Sequence, residues 1–227
     1  MKNLRIIFRS YRFNSFTGLA LLLQFIPLAC FAQFRSSIDV QEWPEGRIIL
    51  ASGDVLEGPV TFYRQQDIIN VQHEDGTITS LTPVNVEEFV VKELPTGLPH
   101  VFRTYNWDLG KDFTDFKKPT FFEQLSEGKL SVISRETYVT QDISRTGYYH
   151  DSNMLPAGAG WVERVKLLYY VLLPDGDIVT LRNVRKDLLK LFGKKANQVK
   201  EFIKSNKLSY ERPHELVAIV NYYNSLP

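Results

Sequence analysis

Cysteine is almost missing from this chain: one residue, Cys30, in 227. A single thiol excludes an intramolecular disulfide framework and a cysteine-built zinc site. An excess of one charge is missing too. Lys and Arg number 27 against 26 Asp and Glu, a net charge of +1, which argues against a strongly basic nucleic-acid binder. Histidine is scarce, with four residues spaced 27, 50 and 64 apart, so no local metal pair of the H-E-x-x-H kind exists. G-x-S-x-G, P-loop and G-x-G-x-x-G patterns are absent. Repeated long apolar runs are absent, which excludes a multi-span membrane protein. What is there is ordinary globular usage, 44% hydrophobic and 23% charged, which excludes a disordered chain or a collagen-like repeat.

The first residues read as an address. Lys2, Arg5, Arg9 and Arg12 are basic with no acid among them, and Phe16 to Ala32 is apolar and uncharged. That stretch falls short of the roughly 20 apolar residues of a membrane span. It ends in Cys30-Phe31-Ala32, the small-x-small end of a secretory signal peptide, so residues 1–32 read as a signal cleaved after Ala32. An uncleaved anchor is the first alternative. Lipidation at Cys30 is the second, and Pro27 stands where an aliphatic residue is usual. Cleavage would leave 23 basic and 26 acidic residues, a net −3, and no cysteine. A chain of that length needs no disulfide staples, because its own core buries enough surface.

Turn chemistry divides the remainder. Within residues 46–91, apolar runs at Ile48–Leu50, Val55–Leu56, Val60–Tyr63, Ile68–Val71, Thr77–Leu81 and Val86–Val91 alternate with turns. Asp75-Gly76 is the strongest of these signals, because glycine takes the positive φ of a tight hairpin. The pattern predicts about five short strands, a small antiparallel SH3-like β-barrel or β-roll. Lys92 to Pro99 holds two prolines and a glycine and is the boundary between a barrel-like domain, 33–94, and an α+β domain, 95–227.

In the second part, Phe121–Leu125 and Leu130–Ile133 flank a turn. Thr140 to Trp161 is polar and glycine-rich and reads as a long exposed loop. Val165–Leu173 is apolar almost throughout, as a strand covered on both faces would be. Asp175-Gly176 turns the chain into Ile178–Leu181. His73–Leu81 echoes Pro174–Leu181, and common hairpin chemistry accounts for the echo without duplication. The period then becomes helical over 182–225: Val184, Leu188, Leu191 and Phe192 share one face, Ala196, Val199, Phe202 and Ile203 a second, and Leu216, Ile219, Val220 and Tyr223 a third after Pro213. Strands first and helices last predict an α+β fold.

The stretch GRIILASGDVLEGPVTFY, with the middle segment FFEQLSEGKLSVI and the ending AIVNYYN, resembles uncharacterised exported proteins of outer-membrane bacteria. The resemblance covers most of residues 46–224. It implies export and carries no catalytic residue.

Candidate chemistry is sparse. Tyr148, Tyr149, His150 and Asp151, with Trp161, form a polar aromatic stretch that can serve as a binding surface. His73, His100 and His214 read as surface or hydrogen-bonded histidines. Ser126 and Lys129 fit S-x-x-K, but that pair needs one turn of helix, and Gly128 argues for a hairpin. Asp108, Asp112 and Asp115 fit no calcium loop and lie beside Lys111 and Lys117. Trp43 and Trp107 flank loop-like sequence. Arg182, Arg185, Lys186, Lys190, Lys194, Lys195, Lys200, Lys204 and Lys207 make the C-terminal helices basic, a face suited to anionic lipid or simply to water.

Three functions fit these residues. The leading one is an exported periplasmic or outer-membrane-associated protein, a non-enzymatic module that binds another envelope protein or an envelope polymer. It uses no cofactor, metal or nucleic acid. The second is an envelope-polymer hydrolase with a site at His150, Asp151 and Asp142. The third is a protein held at the membrane surface by Cys30 lipidation or by its basic helices.

Overall fold

A computed structural model describes residues 39–111, 116–142 and 161–227, without the side chains of 140–142 and 161–163. Ser37–Pro227 is one unit. Its strands are β1 (Val40–Leu50), β2 (Val55–Tyr63), β3 (Ile68–Gln72), β4 (Ile78–Leu81), β5 (Val86–Lys92), β6 (Pro99–Trp107), β7 (Lys118–Gln124), β8 (Ser131–Asp142), β9 (Trp161–Leu172) and β10 (Ile178–Thr180). Helices α1 (Val184–Phe192), α2 (Ala196–Asn206) and α3 (Pro213–Ser225) follow, with a short 3-10 turn between the first two. The class is α+β. The ten strands make one antiparallel sheet, ordered β10-β9-β8-β7-β6-β5-β1-β2-β3-β4 and curled into a half-barrel. Among the described residues no helix is long and apolar enough to cross a membrane.

One turn design recurs at three hairpins. Leu50 N–H donates to Asp54 C=O, His73 to Thr77 and Leu173 to Asp177, at 2.8–2.9 Å, and Gly53, Gly76 and Gly176 each donate back to the first residue of their turn. All three glycines have positive φ, 90°, 81° and 87°, as a three-residue hairpin loop with a glycine bulge requires. The copy at Leu50–Asp54 lies outside the sequence echo, which supports turn chemistry rather than duplication as its source.

Strand β1 pairs with β2 along most of its length and with β5 over Gly46–Leu50 on the other edge, and its register against β2 shifts between Trp43 and Gly46. Gly46 pairs with Gly58 there. A Cβ on Gly58 (φ 150°) would stand 2.3 Å from the Gln72 carbonyl oxygen, so the close approach that bends the sheet needs a residue without a side chain. The bend wraps the first core: Phe89 stacks on Phe102 at 4.5 Å and meets Phe62 and Phe121 edge-on. Trp43, Ile48, Val60, Ile69 and Val71 complete it.

Pairing carries that face across the sheet. Phe102 lies opposite Glu123, Glu123 opposite Ser134, and Ser134 opposite Tyr169. Residues directly opposite one another share a face. Tyr169 opens the second core, where the helices lay Leu188, Phe192, Val199, Leu216, Ile219 and Val220 over Val132 and Val171. Asn183 caps α1 by accepting from Lys186 N–H, and Asp187 reaches back to Asn183 N–H. Gly193 and Lys207 end α1 and α2 at positive φ, and Pro213 starts α3. Asn224 of α3 brackets Leu130, accepting from its N–H and donating to its C=O. A third cluster, Phe122, Ile133 and Tyr170, lies on the opposite face with Trp107.

Some expectations need correction. The segment Thr140–Trp161 is strand at its ends: β8 runs on to Asp142, whose partner is Trp161. Cover on both faces does not extend along all of Val165–Leu173, because residues 164–166 are exposed and cover begins at Leu167. The strand β6 and the first half of β1 carry no clean alternation and escape a sequence reading. The stretch Lys92–Pro99 is the turn of the β5–β6 hairpin, closed by Glu93 N–H to Leu98 C=O.

Candidate functional site

Two polar places stand out, and their size and chemistry separate them. The first is the seam between the two cores. His100 Nδ1 lies 2.6 Å from Glu123 Oε1, and Ser134 Oγ donates to Glu123 Oε2. Arg64 at the end of β2 reaches Gln41 and Tyr138 by hydrogen bonds. Its Nε stands 2.8 Å from Glu136 Oε2, an ion pair off the hydrogen-bond direction, since that oxygen has no aligned donor. Arg135 Nη1 bonds Asp67 Oδ1 at 2.9 Å and the Phe121 carbonyl at 2.6 Å, and its guanidinium lies over the rings of Trp107 and Phe122.

These contacts span the curl of the sheet, tying the β2–β3 end to β8. The cavity among them is about 80 Å³, well below the roughly 300 Å³ at which small-ligand pockets begin. In the chain Ser134–Glu123–His100 the carboxylate is central, so His100 is not placed to take the serine proton. A nucleophile needs its base adjacent. The seam is a clasp. Burial raises the Tyr169 hydroxyl pKa beside it, with the Glu123 charge adding to the rise.

The second place is an open groove of about 1190 Å³ between β9, the end of β10 and the helices. Its floor is apolar: Leu167, Leu181, Val184, Ile203, Leu208 and Tyr210, all of which pack on the helix-side core. Its rim carries Lys166, Arg182, Arg185, Lys200 and Lys204, with Glu211 the one acid. None of the five cations is ion-paired among the described residues. The 207–212 wall is pinned from α3. Glu215 accepts from Ser209 N–H at 2.5 Å and from Arg212 at 2.8 Å. Those bonds, the Arg212 one foremost, hold its carboxyl pKa below the ordinary range.

The two differ in what they leave free. Donors and acceptors of the seam face one another, whereas the charges of the groove face solvent. The groove is therefore the candidate site. It gathers Arg182, Arg185, Lys200 and Lys204 from the basic tail and adds Lys166 from β9. The strand contribution was hidden because Lys166 sits in an apolar run 16 residues before Arg182.

The candidate surface Tyr148, Tyr149, His150 and Asp151 lies outside the described residues, and of Trp161 only the backbone, at the start of β9, is described. Asp112 and Asp115 also lie outside. Asp108 Oδ1 accepts from Gly110 N–H. His73 bonds Thr79 and His214 stands 3.6 Å from Glu215. Ser126 and Lys129 lie in the β7–β8 connection, where Ser126 Oγ accepts from Val132 N–H. Trp43 is buried in the first core. No group of three or more His, Cys, Asp or Glu among the described residues is placed to hold a metal ion.

Comparison with family models, with curated proteins and with solved structures gives no match.

Proposed function

We propose that this chain is an exported cell-envelope protein that acts as a non-enzymatic binding module, with the basic groove as its binding site. The observation that carries this reading is the groove itself: five cations around an apolar floor, with one acid and no ion pair among the described residues. Such a surface suits an anionic partner, an envelope protein or polymer. The N-terminal basic and apolar segment supports export, with cleavage after Ala32 and residence in the periplasm or at the outer membrane.

The test is site-specific photo-cross-linking in intact cells, with the reactive residue at Leu208 in the groove or at Ile78 on the far edge strand. Adducts from Leu208 that vanish in Lys200→Glu/Lys204→Glu, and none from Ile78, are expected. Equal adducts from both sites, unchanged by the charge reversal, would remove the groove as the site.

A second reading, attachment to an anionic membrane surface, draws on the same cations. It predicts membrane retention that high salt releases. The strand order β5-β1-β2-β3-β4 also supports an SH3-like unit over residues 33–94, its aromatic core completed by Phe102 of β6 and Phe121 of β7. Expression of 33–94 alone tests it: a dispersed amide spectrum is expected, and a collapsed one refutes it.

A further inference from the structure

The groove has a feature that its charge does not explain. Strand β10 pairs with β9 only at residues 170–172 and makes one further bond, Leu181 N–H to Tyr169 C=O. The chain then turns away into α1, and among the described residues nothing pairs with β9 beyond Tyr169 on that edge. Main-chain groups alternate direction along a strand. Because Tyr169 points its C=O at β10, Leu167 and Val165 point their N–H and C=O at the same open edge. Lys166 and Leu168 point theirs at β8, opposite Thr137 and Arg135. The open edge enters the groove at Lys166–Tyr169.

We propose that the groove receives an extended acidic peptide of a partner protein, which adds as a strand to the open edge of β9 at Val165 and Leu167. This rests on the groove being the binding site. Alternation sets the peptide's character. Side chains that fall on the face of Leu167 meet the apolar floor, and those on the other face stand beside Arg164 and Lys166. The fitting partner segment therefore alternates apolar and acidic residues, and opposite charges across a strand pair are stabilising. A lipid tail in the same place would cover the Val165 and Leu167 main-chain groups with hydrocarbon and leave them unbonded, which is unfavourable. A strand bonds them, as in other cases of strand addition to a sheet edge.

The test uses the exported chain as purified and a labelled peptide of about eight residues alternating Val and Glu, with a Val/Lys peptide as control. Saturable binding of the Glu peptide alone is expected, and no binding overturns the proposal. Val165→Pro removes an open-edge donor without touching the β8 ladder, a place where a sheet tolerates proline. It should weaken binding by about fivefold or more. Should that variant not fold, amide exchange in the unaltered chain decides. Val165 and Leu167 N–H should exchange more slowly with peptide bound, and unchanged rates overturn strand addition.

Lys200→Glu/Lys204→Glu separates the two levels of the argument. If it abolishes peptide binding while Val165→Pro does not, the groove stands and strand addition falls. If neither variant weakens binding, the groove falls too. Vesicles of phosphatidylglycerol and phosphatidylcholine supply the last arm, and binding to them in preference to the peptide overturns a peptide occupant in favour of an anionic headgroup.

Discussion

Arg135→Met should destabilise the chain by about 3–4 kcal/mol, because it breaks a buried ion pair from one side. The Arg135 side chain is 18% exposed and that of Asp67 7%, so water screens the pair little. Removing the guanidinium strands the Asp67 carboxylate, orphans the Phe121 carbonyl and takes a cation from the faces of Trp107 and Phe122. Methionine retains much of the stem's packing, so the loss reports the charge and the hydrogen bonds. In a domain of about 150–250 residues each kcal/mol moves Tm by about 2–4 °C, so a fall of about 6–16 °C is expected. Asp67→Asn is the complementary variant. Asp67 has φ 53°, a region asparagine also tolerates, so the substitution removes charge and leaves the backbone at ease. The double variant should cost less than the two single losses summed, with about 1–3 kcal/mol of coupling. Urea unfolding followed by tryptophan fluorescence measures all three, since Trp107 lies under the guanidinium. A loss under about 1 kcal/mol for Arg135→Met, or strict additivity, would refute the clasp.

Other parts of the fold give independent tests by the same unfolding assay. Phe89→Ala, at a fully buried ring touching Phe62, Phe102 and Phe121, should cost about 3–5 kcal/mol, and a loss below about 1.5 would contradict the packing described. Asn224→Ala removes both bonds to Leu130 and should cost about 1–3 kcal/mol, with amide exchange at Leu130 accelerated. Glu215 is lowered in pKa by Arg212 and by Ser209 N–H, so its contribution is present above the ordinary glutamate range and is lost as pH falls through it toward the folded value. The urea midpoint should therefore drop between about pH 7 and about pH 3.5, and drop less in Glu215→Gln.

The sequence made the turns legible and the sheet's continuity much less so. Asp75-Gly76 and Asp175-Gly176 announce hairpins because few residues other than glycine accept the φ they need. The apolar stripes of the tail likewise announce α1 to α3, because residues 3 and 4 apart share a face. By contrast β6 reads P-H-V-F-R-T-Y-N-W, with intermediate burial at most positions. Phe102 faces the first core while Tyr105 and Trp107 pack on the cluster of the opposite face, so apolar residues fall on both faces and no period of two survives. The clasp was out of reach for a different reason. Arg64 and Tyr138 lie 74 residues apart, and Asp67 and Arg135 68 apart, so nothing local marks them as partners.

The groove shows why charge counting in the tail fell short. Read along the chain, Lys200 and Lys204 are the solvated face of one amphipathic helix. A solvated face is convex and presents cations with no floor between them. Here β10 ends after three residues and the chain leaves the sheet at Asn183 to start α1, so the helix-side cations stand across a gap from a strand that has lost its neighbour. The apolar residues lining that gap, Leu167 and Ile203 among them, belong to the same core that holds the helices down. Widening or closing the gap would therefore cost core packing. Among the described residues, a floor held by the core, a rim of cations without ion pairs and an open strand edge meet only because β10 is short. Extending β10, by replacing Arg182-Asn183 with strand-forming residues, should close the edge and abolish binding, whereas Arg182→Gln alone, which removes the same rim cation and leaves the edge open, should only weaken it.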